Sequence, residues 1–321
     1  MWGTPSTGSK RARICFNPNI SRMITPPYLK KGDTIGIVCP SGYLPAKKTT
    51  NCIQMLTSWG FQVKIGKTVG HQHHYFSGTD EERLADLQQM LDDKNIQAIL
   101  CGRGGYGLSR LIDRLSFRQL KKYPKWIIGF SDITVLHAHL YQQVKMASLH
   151  APMAAAFSKS DLSSVFTLKK ALLGKKQIYT CAPHPFNRTG KVTGPLIGGN
   201  LSLVAHLIGS PSALHTKGAI LFLEDIGEYV YNIDRMLIQL KRSGVFDKLG
   251  GLIIGGFTDS KDTEIPFGLT VAEVIRNQIQ EYSFPVCFDF PVSHDIANVA
   301  LKHGLPYELT VSTRKVSLKE A

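Results

Sequence analysis

The residues best suited to chemistry in this sequence begin with a polar pair, Ser131-Asp132, inside "WIIGFSDITVLHAHL". The run from Trp126 to Phe130 reads as a buried strand, and apolar residues at helical spacing resume directly after the pair. A serine on so tight a strand-to-helix turn keeps its hydroxyl exposed. Backbone N–H groups lie beside it, and the helix N-terminus favours developing negative charge. That is the layout of a nucleophile elbow. The plainer reading is helix capping, a common use of Ser and Asp, and the G-x-S-x-G spacing is absent.

A serine nucleophile needs a general base, and the base needs an orienting acceptor. Among 11 histidines, His294 stands out in the polar turn "SHDIAN" after the strand-like "VCFDFPV". His150 in "SLHAP" is a weaker candidate. His137 and His139 fall on the helix after Ser131 and read as packing residues. For the acid, "LFLEDIGE" offers Glu224, Asp225 and Glu228. Glu224 is the first polar residue after Ile220 to Leu223, and a carboxylate partly buried there is costly unless paired. An imidazole is one natural partner. Capping, or pairing with Arg235, is the plainer role, and Asp225 or Asp234 would serve as well. "CGRGGYGLSR" places Gly102, Gly104, Gly105 and Gly107 on another strand-to-helix turn, where backbone N–H groups can approach a ligand. It is not G-x-G-x-x-G, and no P-loop Lys-Ser/Thr follows. An oxyanion hole or carboxylate cradle fits better than a dinucleotide site, with Arg103 as a nearby cation.

Other chemistries find less support. The cluster His71, His73 and His74 in "HQHHYF" lacks i, i+4 pairing and a carboxylate at ligand spacing, so no metal is expected. The six cysteines form no C-x-x-C pair and read as reduced, small apolar residues of a cytoplasmic protein. The net charge is +14, but the basic residues are scattered and form no run interleaved with aromatics. A nucleic-acid partner is therefore not expected, and an anionic small substrate suits the charge. No apolar run of about 18 residues and no signal-peptide core point to a membrane.

These candidates need a scaffold to bring them together. With 321 residues and 43% hydrophobic content, two domains are expected. The first half alternates strand and helix signals: "DTIGIVCPSG", a helix closed by Gly60, "FQVKIGK", a helix over "SGTDEERLADLQQMLDD", "IQAILCGRGG", a helix over "GLSRLIDRL", then "KWIIGFSD". Thr79 and Glu82 stand at capping-box spacing. Such alternation predicts an α/β fold with a parallel sheet covered on both faces, and functional groups at the carboxyl ends of its strands. The second half predicts a smaller, β-richer α/β domain ending in a hairpin-like "YELTVSTRKVSLKE". The expected limits are 1–22 as a disordered extension, 23–157 as the N-terminal domain, 158–188 as a linker and 189–321 as the C-terminal domain.

In order along the chain, "LKKGDTIGIVCPSG", "YFSGTDEERLADLQQML", "RGGYGLSRLID", "GFSDIT", "GGNLSLVAHLIGS", "ILFLEDIGE", "DRMLIQL" and "FDFPVSHD" resemble the LD-carboxypeptidases, or muramoyltetrapeptide carboxypeptidases. The resemblance runs from about Met23 to the C-terminus. It implies a serine peptidase with a Ser-Glu-His triad: Ser131 as nucleophile, Glu224 as charge-relay acid, His294 as base. It places Ser131 in the first domain and the other two in the second. Backbone N–H groups near Gly105 and Asp132 would hold the oxyanion, with Gly104 and Arg103 beside them. The implied reaction releases D-alanine from murein tetrapeptides in peptidoglycan recycling, in a cytoplasmic homodimer with no cofactor. Some relatives are immunity peptidases that cleave an aminoacyl-nucleotide toxin, with an aromatic side chain stacked on the base; here Tyr229 or Tyr231 could stack. A non-catalytic small-ligand-binding module is the alternative from another class.

Overall fold

The computed structural model describes residues 23–321; the expected disordered extension lies outside the described residues. The first half supplies strands β1 (Thr34–Val38), β2 (Gln62–Ile65), β3 (Ala98–Cys101), β4 (Trp126–Gly129) and β5 (Ser148–His150). Between them run helices α1 (Thr50–Ser58), α2 (Asp80–Asp92), α3 (Arg118–Lys122) and α4 (Thr134–His139). The chain continues through α5 (Leu162–Leu172), β6 (Ile178–Cys181), β7 (Gly190–Asn200), α6 (Leu201–His206), β8 (Ile220–Ile226) and α7 (Val230–Arg242). It ends with β9 (Gly251–Thr258), α8 (Val271–Gln278), β10 (Val286–Cys287), β11 (Leu301–His303), β12 (Pro306–Val311) and β13 (Val316–Glu320).

The first sheet has the order β11-β5-β4-β3-β1-β2. Strands β1 to β5 run parallel, which demands helical crossovers and a sheet buried on both faces. Leu87 and Met90 of α2 and Val135 and Leu136 of α4 pack on one face. Leu56 of α1 and Val165 and Leu168 of α5 pack on the other. Helix α2 starts where predicted, because Thr79 Oγ1 accepts from Glu82 N while Glu82 Oε2 accepts from Thr79 N. The strand order reverses between β1 and β3. In open parallel sheets that switch point opens a crevice beyond the strand ends, here at Ser41-Gly42 and Gly102 to Gly107.

The second sheet has the order β10-β9-β8-β7-β12-β13-β6. Its β7 to β10 half is parallel. The β7-β12-β13-β6 half is antiparallel and includes the expected terminal hairpin. Helix α7 turns Val230, Ile233, Leu237 and Leu240 onto the core, joined by Val274 and Ile275 of α8. The opposite face gathers Phe222, Ile253, Tyr307, Leu309 and Leu318. The fold is thus α/β, with a parallel first sheet and a β-richer second one. Among the described residues, no helix is long and apolar enough to cross a membrane.

Local departures have physical causes. The helix expected over "GLSRLIDRL" is two 3-10 turns, Leu108–Arg110 and Ile112–Arg114, entered through Gly107 at φ 143°. The stretch 158–188 holds α5, which packs on the first sheet, and β6, which pairs with β13 of the second. Strand β11, from the far end of the chain, returns to pair antiparallel with β5. Three residues show no periodicity, so this return leaves no local sequence signal.

Candidate functional site

Strand β4 is buried along its length and ends at Gly129, where a Cβ would lie 2.8 Å from Ile133 Cγ1. Ser131 then enters the left-handed region at φ 62° and opens the 3-10 turn Ser131–Ile133 that leads into α4. A non-glycine residue held there costs about 1–3 kcal/mol, so its surroundings must impose the conformation. Capping does not account for the polar pair, since neither the turn nor α4 has a side-chain cap. Asp132 instead sends its buried carboxylate inward, where Oδ2 accepts from Ser41 Oγ at 2.5 Å and from Leu108 N at 3.0 Å. Burial raises its carboxyl above the usual range. This carboxylate braces the segments that follow β1, β3 and β4, which leaves the Asp132 N–H as its candidate anion donor. Gly104 packs so closely that a Cβ would sit 2.9 Å from Ser131 Cβ and 3.0 Å from its Oγ. Gly105 has φ 103° and faces Tyr75, 2.6 Å from a Cβ to Oη. Among the described residues, no turn or loop hydrogen bond takes up the N–H of Gly105 or of Asp132.

Glu224 lies on β8 where the register with β9 shifts between Leu223 and Asp225. Irregularities of this kind re-aim a side chain. The side chain is fully buried, and Oε2 accepts from His294 Nδ1 at 2.6 Å. With the carboxylate ionised, that bond requires Nδ1 to carry the proton and leaves Nε2 as the basic nitrogen. Ser293 Oγ donates to Ala297 O at 2.9 Å and accepts from Asp295 N at 3.0 Å, fixing the turn that carries His294. The His294 ring lies 4.8 Å from the ring of Phe130, the residue before Ser131. The competing acids are engaged elsewhere. Asp225 accepts from Asn200 Nδ2 at 2.7 Å, Ile226 N at 2.8 Å and Ser202 N at 2.9 Å, and burial raises its carboxyl to about 6. Glu228 accepts from Asn232 Nδ2 at 3.3 Å, and Arg235 lies over the Tyr231 ring. His150 is buried on β5 against Phe130 and Phe222, and burial pulls it well below the imidazole range.

Ser131 and His294 open onto one cleft of about 510 Å³. Gly104, Gly105 and Arg103, the other residues singled out in the sequence, line it too. Arg103 is tethered by Nη1 donating to Tyr43 O at 2.8 Å. Ser131 Oγ and the His294 ring share the cleft without a hydrogen bond between them, a contact that commonly tightens only with substrate bound. Among the described residues, the lining also includes Lys48 and Lys159 and no carboxylate. Neither lysine was legible as a site residue, since Lys48 stands in the unremarkable "AKKTT" and Lys159 in the stretch expected as linker. His71, from the histidine cluster, pairs with Glu82 at 3.1 Å. Among the described residues, no group of three His, Cys, Asp or Glu is arranged to hold a metal.

Residues 35–151 match the LD-carboxypeptidase N-terminal domain, and residues 193–309 match the LD-carboxypeptidase C-terminal domain. The chain is 35% identical over 288 residues to the probable murein peptide carboxypeptidase of Bacillus subtilis, covering 87% of this chain and 89% of that one. It is 27% identical to the microcin C7 self-immunity protein MccF of Escherichia coli, over 91% of this chain and 94% of that protein. The crystal structure of muramoyltetrapeptide carboxypeptidase from Oxalobacter formigenes superposes with a TM-score of 0.82 at 30% identity, covering 90% of this chain and 98% of that one. Both halves match in order and nearly whole relatives align, so the chain belongs to the LD-carboxypeptidase family.

Proposed function

We propose that this chain is a serine-type LD-carboxypeptidase that hydrolyses the amide between an L-centre and the terminal D-alanine of a murein tetrapeptide. The observation that carries this reading is the 2.6 Å Glu224–His294 hydrogen bond, made by a ring that opens onto the same cleft as the strained Ser131. Relatives named for murein peptides support the substrate class. His294 Nε2 takes the proton as Ser131 Oγ attacks the carbonyl carbon. Glu224 offsets the imidazolium charge that develops. The N–H groups of Gly105 and Asp132 are the candidate donors to the oxyanion. His294 then protonates the departing amine of D-alanine, and water releases the acyl group by the same route reversed. Lys48, Arg103 and Lys159 suit a peptide that bears several carboxylates. The test is Ser131→Ala. D-alanine release from a murein tetrapeptide should fall by roughly 10⁵–10⁶-fold with an unchanged unfolding midpoint, and retained activity would remove Ser131 from the mechanism.

A second reading is an immunity-type peptidase acting on an aminoacyl nucleotide. The paired rings of Tyr229 and Tyr231, 5.6 Å apart and shortly after the cleft residue Ile226, favour it as a stacking platform for a base. Cleavage of an aminoacyl-sulfamoyl nucleotide, with no D-alanine released from tetrapeptides, would put this reading first.

A further inference from the structure

Strands β6 and β10 are the two outer strands of the second sheet. Nevertheless Tyr179 and Cys181 of β6 pack in one apolar cluster with Cys287 of β10. The sheet therefore curls until its edges approach each other. Backbone bonds close the seam: Arg188 N donates to Val286 O and Val286 N to Arg188 O, both at 3.0 Å. Phe288 N also donates to Asn187 Oδ1 at 2.8 Å. The segment leaving β6 thus reaches β10 at Arg188 and Val286, and Cys181 packs against the same apolar cluster that holds Cys287.

Both are free thiols, Cys181 partly exposed and Cys287 buried. Each sulfur perturbs the other. The neighbouring Cys287 thiol holds Cys181 below its ordinary value, while Cys181 and burial push Cys287 well above. Cys39, Cys52 and Cys101 are buried, and burial pushes their thiols up, Cys39 to about 12. Thiolate character and access together decide which cysteine meets an oxidant. Among the described cysteines, Cys181 is the one that combines them.

We propose that Cys181 and Cys287 are a peroxide-responsive pair that closes to an intramolecular disulfide across the edges of the second sheet. The Cys181 thiolate attacks one peroxide oxygen and the O–O bond breaks. The departing hydroxide takes a proton to become water, which leaves Cys181 as a sulfenic acid. The Cys287 sulfur then attacks Cys181 Sγ. The S–O bond breaks, and the leaving hydroxide takes the Cys287 proton as a second water. In sum, two thiols and one hydrogen peroxide give one disulfide and two waters, with two electrons passing from sulfur to peroxide. The bond closes a loop of about a hundred residues. It also tethers the strand that leads into the turn carrying His294, whatever reaction that residue performs.

The experiment treats reduced full-length protein with a slight excess of hydrogen peroxide, alkylates it, and maps the digest by mass. A Cys181–Cys287 peptide about 2 Da lighter than its two thiol peptides together is expected, reversed by dithiothreitol. Titratable thiols in the unfolded protein should fall from the six in the sequence to four. Cys287→Ser should stop at the sulfenic acid and give a dimedone adduct on Cys181, whereas Cys181→Ser should give neither product. The proposal is overturned if wild-type protein keeps all its thiols, if Cys181 pairs with any other cysteine, or if Cys287→Ser yields no adduct on Cys181. The wild-type map decides the matter even if a variant folds poorly.

Discussion

Glu224 carries a carboxyl group into a fully buried position, where an ion loses several kcal/mol of hydration unless it is paired. Its partner is one imidazole, and the second carboxylate oxygen, Oε1, has no hydrogen bond among the described residues. The side chain is therefore a poor device for stability and a good one for charge. When His294 accepts a proton, carboxylate and imidazolium attract each other in a medium of low dielectric. Glu224→Gln keeps the shape and removes that attraction. We expect kcat to fall by about 10³–10⁴ with KM near wild type, because Glu224 does not line the cleft. Steady-state kinetics on a tetrapeptide would check this, and a kcat within tenfold of wild type would end the proposed role. Local sequence logic could bring this residue only as far as one acid among three. Glu224, Asp225 and Glu228 share a strand end, and what separates them is the register shift between Leu223 and Asp225. That shift is set by pairing with β9, a contact the segment itself does not encode.

The segments after β1, β3 and β4 form one unit at the end of the first sheet. Gly42 N donates to Gly104 O at 3.1 Å, Ser41 and Leu108 both bond Asp132, and Gly104 backs onto Ser131. Gly104→Ala would place a methyl 3.3 Å from Met153 Cε, which can swing aside, and 2.9 Å from Ser131 Cβ, which cannot without leaving its turn. Overpacking of this kind costs about 1–3 kcal/mol. We expect a loss in that range by denaturant unfolding, together with a kcat loss of tenfold or more. Wild-type kcat in a destabilised Gly104→Ala would show that Ser131 needs no backing from this turn. Much of this element was legible in advance. Apolar runs ending in Ser41-Gly42, Gly102 to Gly107 and Ser131-Asp132 are what a parallel sheet requires at its carboxyl edge. The inward turn of the Asp132 carboxylate was not, because its donor Ser41 is far away in sequence and only the switch-point topology makes them neighbours.

Over the whole molecule, Ser131 belongs to the first sheet while Glu224 and His294 belong to the second, so their alignment depends on how the two sheets meet. The meeting is polar and close. Asn200 N donates to Thr134 Oγ1 at 3.1 Å, Gly198 N donates to His303 Nε2 of β11 at 3.2 Å, and β11 itself completes the first sheet. The order of motifs suggested a divided triad, but the returning strand and the glycine contacts that fix the spacing carry no local signature. Gly199 is the tightest of these contacts. It adopts φ 140°, and a Cβ there would clash with Thr134 Oγ1 and lie 2.8 Å from Thr134 Cγ2. Gly199→Ala must therefore push β7 back from α4 and carry Glu224, its neighbour in register with Asn200, away from Ser131. A shift of about 1 Å is enough to cost roughly 100-fold in rate. Thr134→Ala alone should cost only a few-fold, since it opens space and forfeits one hydrogen bond. In the double variant the methyl no longer meets Oγ1 or Cγ2, although it still lies 3.1 Å from the Cβ at position 134 and keeps its backbone strain, and kcat should recover at least tenfold over Gly199→Ala. The two changes are then coupled, as contacting residues are. Purely additive losses in that cycle would mean that this contact does not set the distance across the cleft.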